Sequence, residues 1–427
     1  MNWLNIKQLV VSCFSLQVSR SEALNSAGIF FITLSCFFIP FSTSLLGVTA
    51  ILACICWFFS GAFLQLPFFM RSNISVLLAI LLLLLLTAGL LYTPVPFGEA
   101  VLYLKKYREL LIFAVVVSLF YKNDTAADRA QKSFIGGCCV LLTSSYLMYF
   151  SLLPAQKFGY SLVHHITHSF FMAILAFWCL HRCFESKKYL YYWLTLFLIA
   201  TINLFFIAPG RTGMLIYLIL IPLAIFQRLP LKKSLPVALL ISALLALTYA
   251  TSHNFSSRVT EAIQEMESYH SASSRTSLGM RFDWWHNSVD LIIEKPVFGH
   301  GTGSFQAAQG DLIKKQKSQT QPSDNPHNEY LLIGVQTGLV GLAVYLALLI
   351  SQFFYSFQLG PPQRYLLQGI VIAMASGCLM NSFLFDSHQG HFYAILTALF
   401  IAPLIKNNTL RPFKHKETLF EPRCNYL

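Results

Sequence analysis

Three groups of side chains in this 427-residue sequence have types and spacing suited to chemistry. The first lies in NPHNEYLLIGVQTGLVG, residues 325–341, where His327, Asn328 and Glu329 stand at the start of an apolar run. Imidazole is the side chain whose ordinary pKa suits general-base work near neutrality. Pro326 stiffens the approach to it, and Asn328 and Glu329 are placed to orient or polarise the ring, or to bind substrate. Gly334, Gly338 and Gly341 follow on the apolar run, where small residues let a neighbouring helix come close. That would fix the histidine better than a free loop does. The bland alternative is an ordinary surface histidine.

The second group is basic. Arg211, in APGRTGML, occupies a short turn after Pro209 and Gly210, at the start of another apolar run. A helix start already offers free N–H groups and positive potential. A guanidinium added there suits phosphate or diphosphate, which arginine holds bidentately. Snorkelling to lipid headgroups or pairing with a carboxylate is the competing explanation. Arg281, in GMRFDWW, supplies another cation. Lys105, Lys106 and Arg108 in LYLKKYREL are weaker substrate-binding candidates, because Glu99 and Glu109 are nearby partners.

The third group is less specific. His164, His165 and His168 are spaced closely enough for a metal, but no carboxylate or cysteine completes the set, so interfacial or structural roles fit better. PVFGHGTGSF (296–305) has the glycines of a phosphate loop but neither the Walker lysine and serine spacing nor a preceding strand; it reads as a turn. Asp386 and His388, in FDSHQG, are placed to line the same site. No D-x-D pair is present to hold a divalent ion on a sugar nucleotide, so neither a metal nor a cofactor is implied.

The elements that must position these residues are membrane spans. Hydrophobic residues make up 56% of the chain, charged residues 11%, and the mean hydropathy is +0.59. A soluble chain carries roughly 25% charged residues. The apolar blocks here, such as LLAILLLLLLTAGLLY at 77–92, have the length needed to cross a hydrocarbon core of about 30 Å. The expected architecture is an all-α polytopic integral membrane protein of about twelve helices, a single membrane domain over 1–427. The expected spans are 27–40, 43–60, 74–92, 97–121, 133–153, 167–182, 188–207, 212–228, 235–252, 329–353, 364–385 and 389–405. The first two are short enough to form one re-entrant pair instead.

The formal charge of +12 would suit nucleic acid if it were clustered. It is instead spread over links between apolar blocks: Arg71; Lys122, Arg129 and Lys132; Arg182, Lys187 and Lys188; Arg228, Lys232 and Lys233; Arg364; and the tail from Lys406 to Arg423. By the positive-inside rule these links and both termini are cytoplasmic. No small-residue cleavage site follows the N-terminal stretch, so no removable signal peptide is expected. The ten cysteines avoid residues 252–329, and no disulfide framework is implied. That segment is the long loop on the opposite face. Within it FDWWHNSVDLIIEKP (282–296) has amphipathic helical spacing, with Trp285, Val289 and Ile292 or Ile293 on one face, as expected of a helix lying on the membrane interface.

Taken together, APGRTGMLIYLI, RFDWWHNSVDLIIEKPVFGHGTGSF and PHNEYLLIGVQTGLVGLAVYL resemble the O-antigen ligase and polymerase superfamily of bacterial envelopes. The resemblance covers about 130 residues, from Arg211 to Tyr345. Length and the PHNEYL form look most like the O-antigen ligases; protein O-oligosaccharyltransferases usually carry an additional C-terminal domain. The resemblance implies metal-independent, inverting glycosyl transfer at the periplasmic face of the bacterial inner membrane. The donor would be a glycan on undecaprenyl diphosphate, and the acceptor a hydroxyl of lipid A–core oligosaccharide. His327 would then be the base, and Arg211 and Arg281 the diphosphate clamps. A flippase or transporter for lipid-linked sugars is the alternative of a different class; it would place ionisable residues near mid-membrane, whereas here they gather at one face.

Overall fold

The structure, a computed structural model, describes residues 3–267, 276–317 and 320–409. The tail beyond 409 and most of the serine-rich segment 268–279 lie outside them. The described residues are helical apart from their connecting turns. In chain order the α-helices are α1 (Trp3–Phe38), α2 (Thr43–Phe59), α3 (Leu66–Ser72), α4 (Ile74–Ala88), α5 (Phe97–Leu104), α6 (Glu109–Phe120), α7 (Asp124–Tyr149), α8 (His165–Cys183) and α9 (Leu190–Ile202). Then follow α10 (Arg211–Arg228), α11 (Leu231–Thr251), α12 (His253–Glu267), α13 (Ser277–Glu294), α14 (Phe305–Gln316), α15 (Glu329–Ser356), α16 (Gln363–Gly377) and α17 (Ser387–Thr409).

Among the described residues eight helices are long and apolar enough to cross a membrane, or nine if a bent pair forms one span. The chain is therefore a polytopic helical membrane protein. The helix lets every backbone group pair within its own segment, the requirement a hydrocarbon core imposes. The remaining expected spans are helical too, but each falls short for a visible reason. Residues 97–121 are interrupted by the 3₁₀ turn Lys105–Tyr107, where the charges lie. The apolar half of α7 is diluted by Gly136, Gly137, Thr143, Ser144 and Ser145. α16 has only 15 residues before the chain turns irregular, a rise of about 22 Å. The break between the first two expected spans falls at 39–42, and a second one, a 78° bend, follows between Thr43–Phe59 and Ala62–Ser72.

α8 and α17 are the most enclosed of the spans, whereas α11 is almost wholly exposed. The links gather into two ends. At one, Tyr92 OH donates to the Phe298 carbonyl at 2.6 Å, Asn254 Nδ2 to Phe206 at 2.7 Å, and His388 Nδ1 lies 2.6 Å from the Ile39 carbonyl. At the other, Tyr121 OH donates to Gln65 at 3.3 Å and Arg228 pairs with Glu185 at 3.2 Å. The histidine and arginine candidates all belong to the first end.

α15 is not a plain helix. Gly338 takes φ 67°, ψ −167°, which breaks its hydrogen-bond ladder. The glycine-rich turn 296–303 repairs the break. Leu339 N–H donates to the Pro296 carbonyl at 2.7 Å and Val340 N–H to Val297 at 3.4 Å; His300 N–H donates to Val335 at 2.8 Å and Gly301 N–H to Gln336 at 3.0 Å. Four backbone groups beside the kink thus find partners in the turn. Gly299, at φ 68°, approaches so closely that a Cβ would stand 2.5 Å from the Val335 carbonyl. PVFGHGTGSF is a splice into a membrane helix, and Gly338 serves that splice rather than close approach of a neighbouring helix.

Candidate active site

His327 lies in the turn before α15, at φ 53°, a left-handed conformation uncommon for a residue with a side chain. Its surroundings hold it there. Asn325 Oδ1 accepts the His327 N–H at 2.8 Å and the Ser382 hydroxyl at 2.6 Å. On α13, Trp285 Nε1 donates to the Pro326 carbonyl at 2.9 Å and Trp284 Nε1 to Gln321 at 2.9 Å. The Trp284 ring lies 5.6 Å from the imidazole, tilted by 31°. Trp285 thus faces the histidine turn, which corrects its expected place on a membrane-facing stripe. Val289 and Ile293 are the exposed apolar residues of α13.

The imidazole opens on a cavity of about 270 Å³, bordered by His164, Asn325, Asn381, Ser382, Asp386 and Gln389. Among the described residues neither ring nitrogen of His327 is hydrogen-bonded. Burial and the nearby Arg281 push its pKa down to about 4, with Asp324 opposing. The ring is therefore neutral near neutrality and free to accept a proton. Burial pushes Asp386 up to about 6, with Lys106 opposing.

Asn328 and Glu329 do other work, which corrects their expected roles at the ring. Asn328 caps α15, accepting the Leu331 N–H at 3.1 Å and donating to the Leu379 carbonyl at 3.1 Å. Glu329 is fully buried on the far side. It accepts the N–H groups of Leu384 and Phe385 at 2.9 and 3.0 Å and the Tyr107 hydroxyl at 3.2 Å. Tyr107 in turn accepts from Gln336 Nε2 at 3.1 Å, and Gln336 Oε1 accepts the Gly303 N–H at 2.8 Å. This buried chain ties the glycine turn, α15, the 105–107 turn and the loop 378–386 together. A buried carboxylate needs such partners.

Arg281 reaches that loop directly, and Arg211 adjoins it through its neighbour Thr212. Arg281 Nη1 donates to the Met380 carbonyl at 3.2 Å. Burial and the nearby Arg211 hold its pKa below the usual arginine range. Arg211 begins α10, and the next residue, Thr212, accepts from Asn381 Nδ2 at 2.9 Å. Its guanidinium is paired with Glu261 and Glu265 of α12 at 2.8 and 3.0 Å, the carboxylate pairing that competed with the phosphate reading. Among the described residues the buried Arg211 Nε has no hydrogen-bond partner.

Arg108 Nη2 donates to Ser387 Oγ, on the cavity wall, at 3.2 Å. The Lys105 side chain is exposed, and its carbonyl accepts from Arg108 Nη1 at 2.8 Å. Glu109 Oε1 lies 2.9 Å from His391 Nδ1 and 3.7 Å from Arg108 Nη2. Two of the three clustered histidines have structural roles. His168 is buried between Ser161 at 2.9 Å and Asn203 at 2.7 Å, whereas His164 caps α8. Among the described residues no three or more His, Cys, Asp or Glu side chains group as a metal site.

Sequence reasoning passed over Asn325, Asn381, Ser382 and the two glutamates. Asn325 stands two residues before His327, the spacing at which an Asx side chain accepts a backbone N–H. Glu261 and Glu265 are four apart in EAIQE, on one helical face.

An all-helical membrane protein in which the histidine turn, Arg281 and the start of α10 are bonded to one loop is the class this geometry defines. Residues 195–346 match the O-antigen ligase family, and Arg211, Arg281 and His327 all fall within them. An uncharacterized protein of Haemophilus influenzae is 33% identical over 122 residues, 28% of this chain and 31% of its own. The O-antigen ligase of Escherichia coli K12 is 25% identical over 141 residues, 32% of this chain and 33% of that protein. A putative polysaccharide ligase of Rickettsia conorii is 31% identical over 80 residues, 18% of this chain and 20% of that protein. Each alignment spans about a third of the relative or less. The similarity to the O-antigen ligase family thus covers about a third of this chain, the part that holds all three candidate residues.

Proposed function

We propose that this protein is an O-antigen ligase, which moves a glycan from undecaprenyl diphosphate to a sugar hydroxyl of lipid A–core. The observation that carries this reading is the convergence on loop 378–386. The His327 turn, Arg281 and the start of α10 are each bonded to it, through Ser382, Met380 and Asn381. His327 takes the proton of the acceptor hydroxyl as its oxygen attacks the anomeric carbon. The bond from that carbon to the diphosphate breaks on the opposite face, so the configuration inverts. Arg211 and Arg281 meet the charge left on the diphosphate, the largest requirement of such a step. Diphosphate is acidic enough to leave without a general acid, and with arginines carrying its charge the step is metal-independent. Both substrates are lipid-anchored, which brings them to the same membrane boundary.

In this reading the termini are cytoplasmic, the chain crosses the inner membrane about twelve times, and 252–329 with the site is periplasmic. Polymerases of the same superfamily use the same donor and differ in the acceptor. Lipopolysaccharide from a deletion strain separates the two. Loss of all O-antigen, with lipid-linked polymer accumulating, supports the ligase. A single repeat unit on core would make the protein a polymerase.

A further inference from the structure

Arg211 already holds two carboxylates. Its Nη2 donates to Glu261 Oε2 at 2.8 Å and Glu265 Oε1 at 3.0 Å, and its Nη1 to Glu265 Oε2 at 3.4 Å. Glu265 Oε2 also accepts the Leu278 N–H at 3.0 Å, in the first turn of α13, the helix that carries Arg281. One pair of carboxylates therefore occupies both a cation of the proposed donor clamp and the helix start next to the other. The pair is borne by a lightly docked element. Among the described residues of α12 only Phe255 is buried.

The charge of this pair matches one class of ligand. A diphosphate linking a lipid to a sugar carries two negative charges on adjacent groups, as the two glutamates do. A monophosphate linking them carries one. In a partly desolvated site, removing two carboxylates from a guanidinium is favourable only if the incoming anion restores the charge. Bidentate contact to arginine adds to the advantage of an anion that presents several oxygens.

We infer that Glu261 and Glu265 are specificity-determining residues, which occupy Arg211 until a lipid-linked diphosphate displaces them and which turn away monophosphate-linked sugars. This rests on the reading of Arg211 and Arg281 as the donor clamp. Donor binding on this account moves α12 off Arg211, so the same exchange that selects the donor also opens the site.

The test uses the purified full-length protein with farnesyl-diphosphate-linked and farnesyl-phosphate-linked N-acetylglucosamine as probes, which carry two charges and one. The wild type is expected to bind the diphosphate at least about tenfold more tightly, and the Glu261→Gln/Glu265→Gln variant to narrow that ratio to about twofold by tightening the monophosphate. In the unaltered protein, the diphosphate should raise amide exchange across 253–267 while the monophosphate at equal concentration leaves it unchanged, a readout that does not depend on how the variant folds. An unchanged ratio in the variant, or unchanged exchange of α12 with diphosphate, overturns the inference and leaves the glutamates as structural partners. Wild-type diphosphate affinity in Arg211→Ala is a different failure, that of the donor clamp itself.

Discussion

At His327 the chain fixes an imidazole through its backbone and its neighbours, without engaging either ring nitrogen among the described residues. The identity of the base candidate was legible in PHNEY because a histidine beside a membrane span is unusual chemistry. The partners were not, because Asn328 and Glu329 adjoin it in sequence but point into the fold, whereas Asn325 and Ser382 reach it through the turn. The depressed pKa has a signed consequence. Imidazole acts as base only when neutral, so the acidic limb of kcat/KM is expected near pH 4 rather than near the ordinary 6.5. A bound diphosphate adds negative charge, favours the imidazolium, and should move the limb of kcat above that of kcat/KM. A pH profile of kcat/KM breaking near 6.5 would contradict the burial on which this rests. For the arginines, Arg281→Lys should lose at least about a hundredfold in transfer if a planar fork is needed against the leaving group. Activity close to wild type in a donor-saturation assay would reduce Arg281 to a positioning charge.

At the scale of elements, the sequence shows where helices are more plainly than how they join. Long apolar runs give the spans, since composition alone decides what hydrocarbon accepts. The kink at Gly338 was not legible, because three glycines at helical spacing read equally as a packing face. Its backbone exchange with 296–301 shows why glycine stands there. Gly338→Ala should destabilise by at least about 1–2 kcal/mol, the usual penalty for a left-handed residue with a Cβ. The added methyl would also meet the Val297 carbonyl. Thermal unfolding in detergent measures this; an unchanged Tm would mean α15 can run straight. α12 escaped notice because its polar face resembles a solvated loop, although its two glutamates four residues apart form one side of the arginine site.

At the scale of the molecule, one end of a helical bundle gathers the histidine, the arginines and a cavity, while the eight long apolar helices carry Asp, Glu, Lys or Arg only near their ends. An interfacial transferase needs that distribution. A carrier needs ionisable groups along a path through the membrane. The two accounts separate on energy, since glycosyl transfer from a diphosphate is driven by the donor itself. The most direct test reconstitutes the purified protein with undecaprenyl-diphosphate-linked O-antigen and lipid A–core and follows joined lipopolysaccharide on a gel. Product from the wild type with no ion gradient or nucleotide, and none from a folded Asn-substituted His327 protein (His327→Asn), is the expected result. Equal product from that variant, or no product from the wild type, would contradict the assignment of His327 as the base of a glycan transferase.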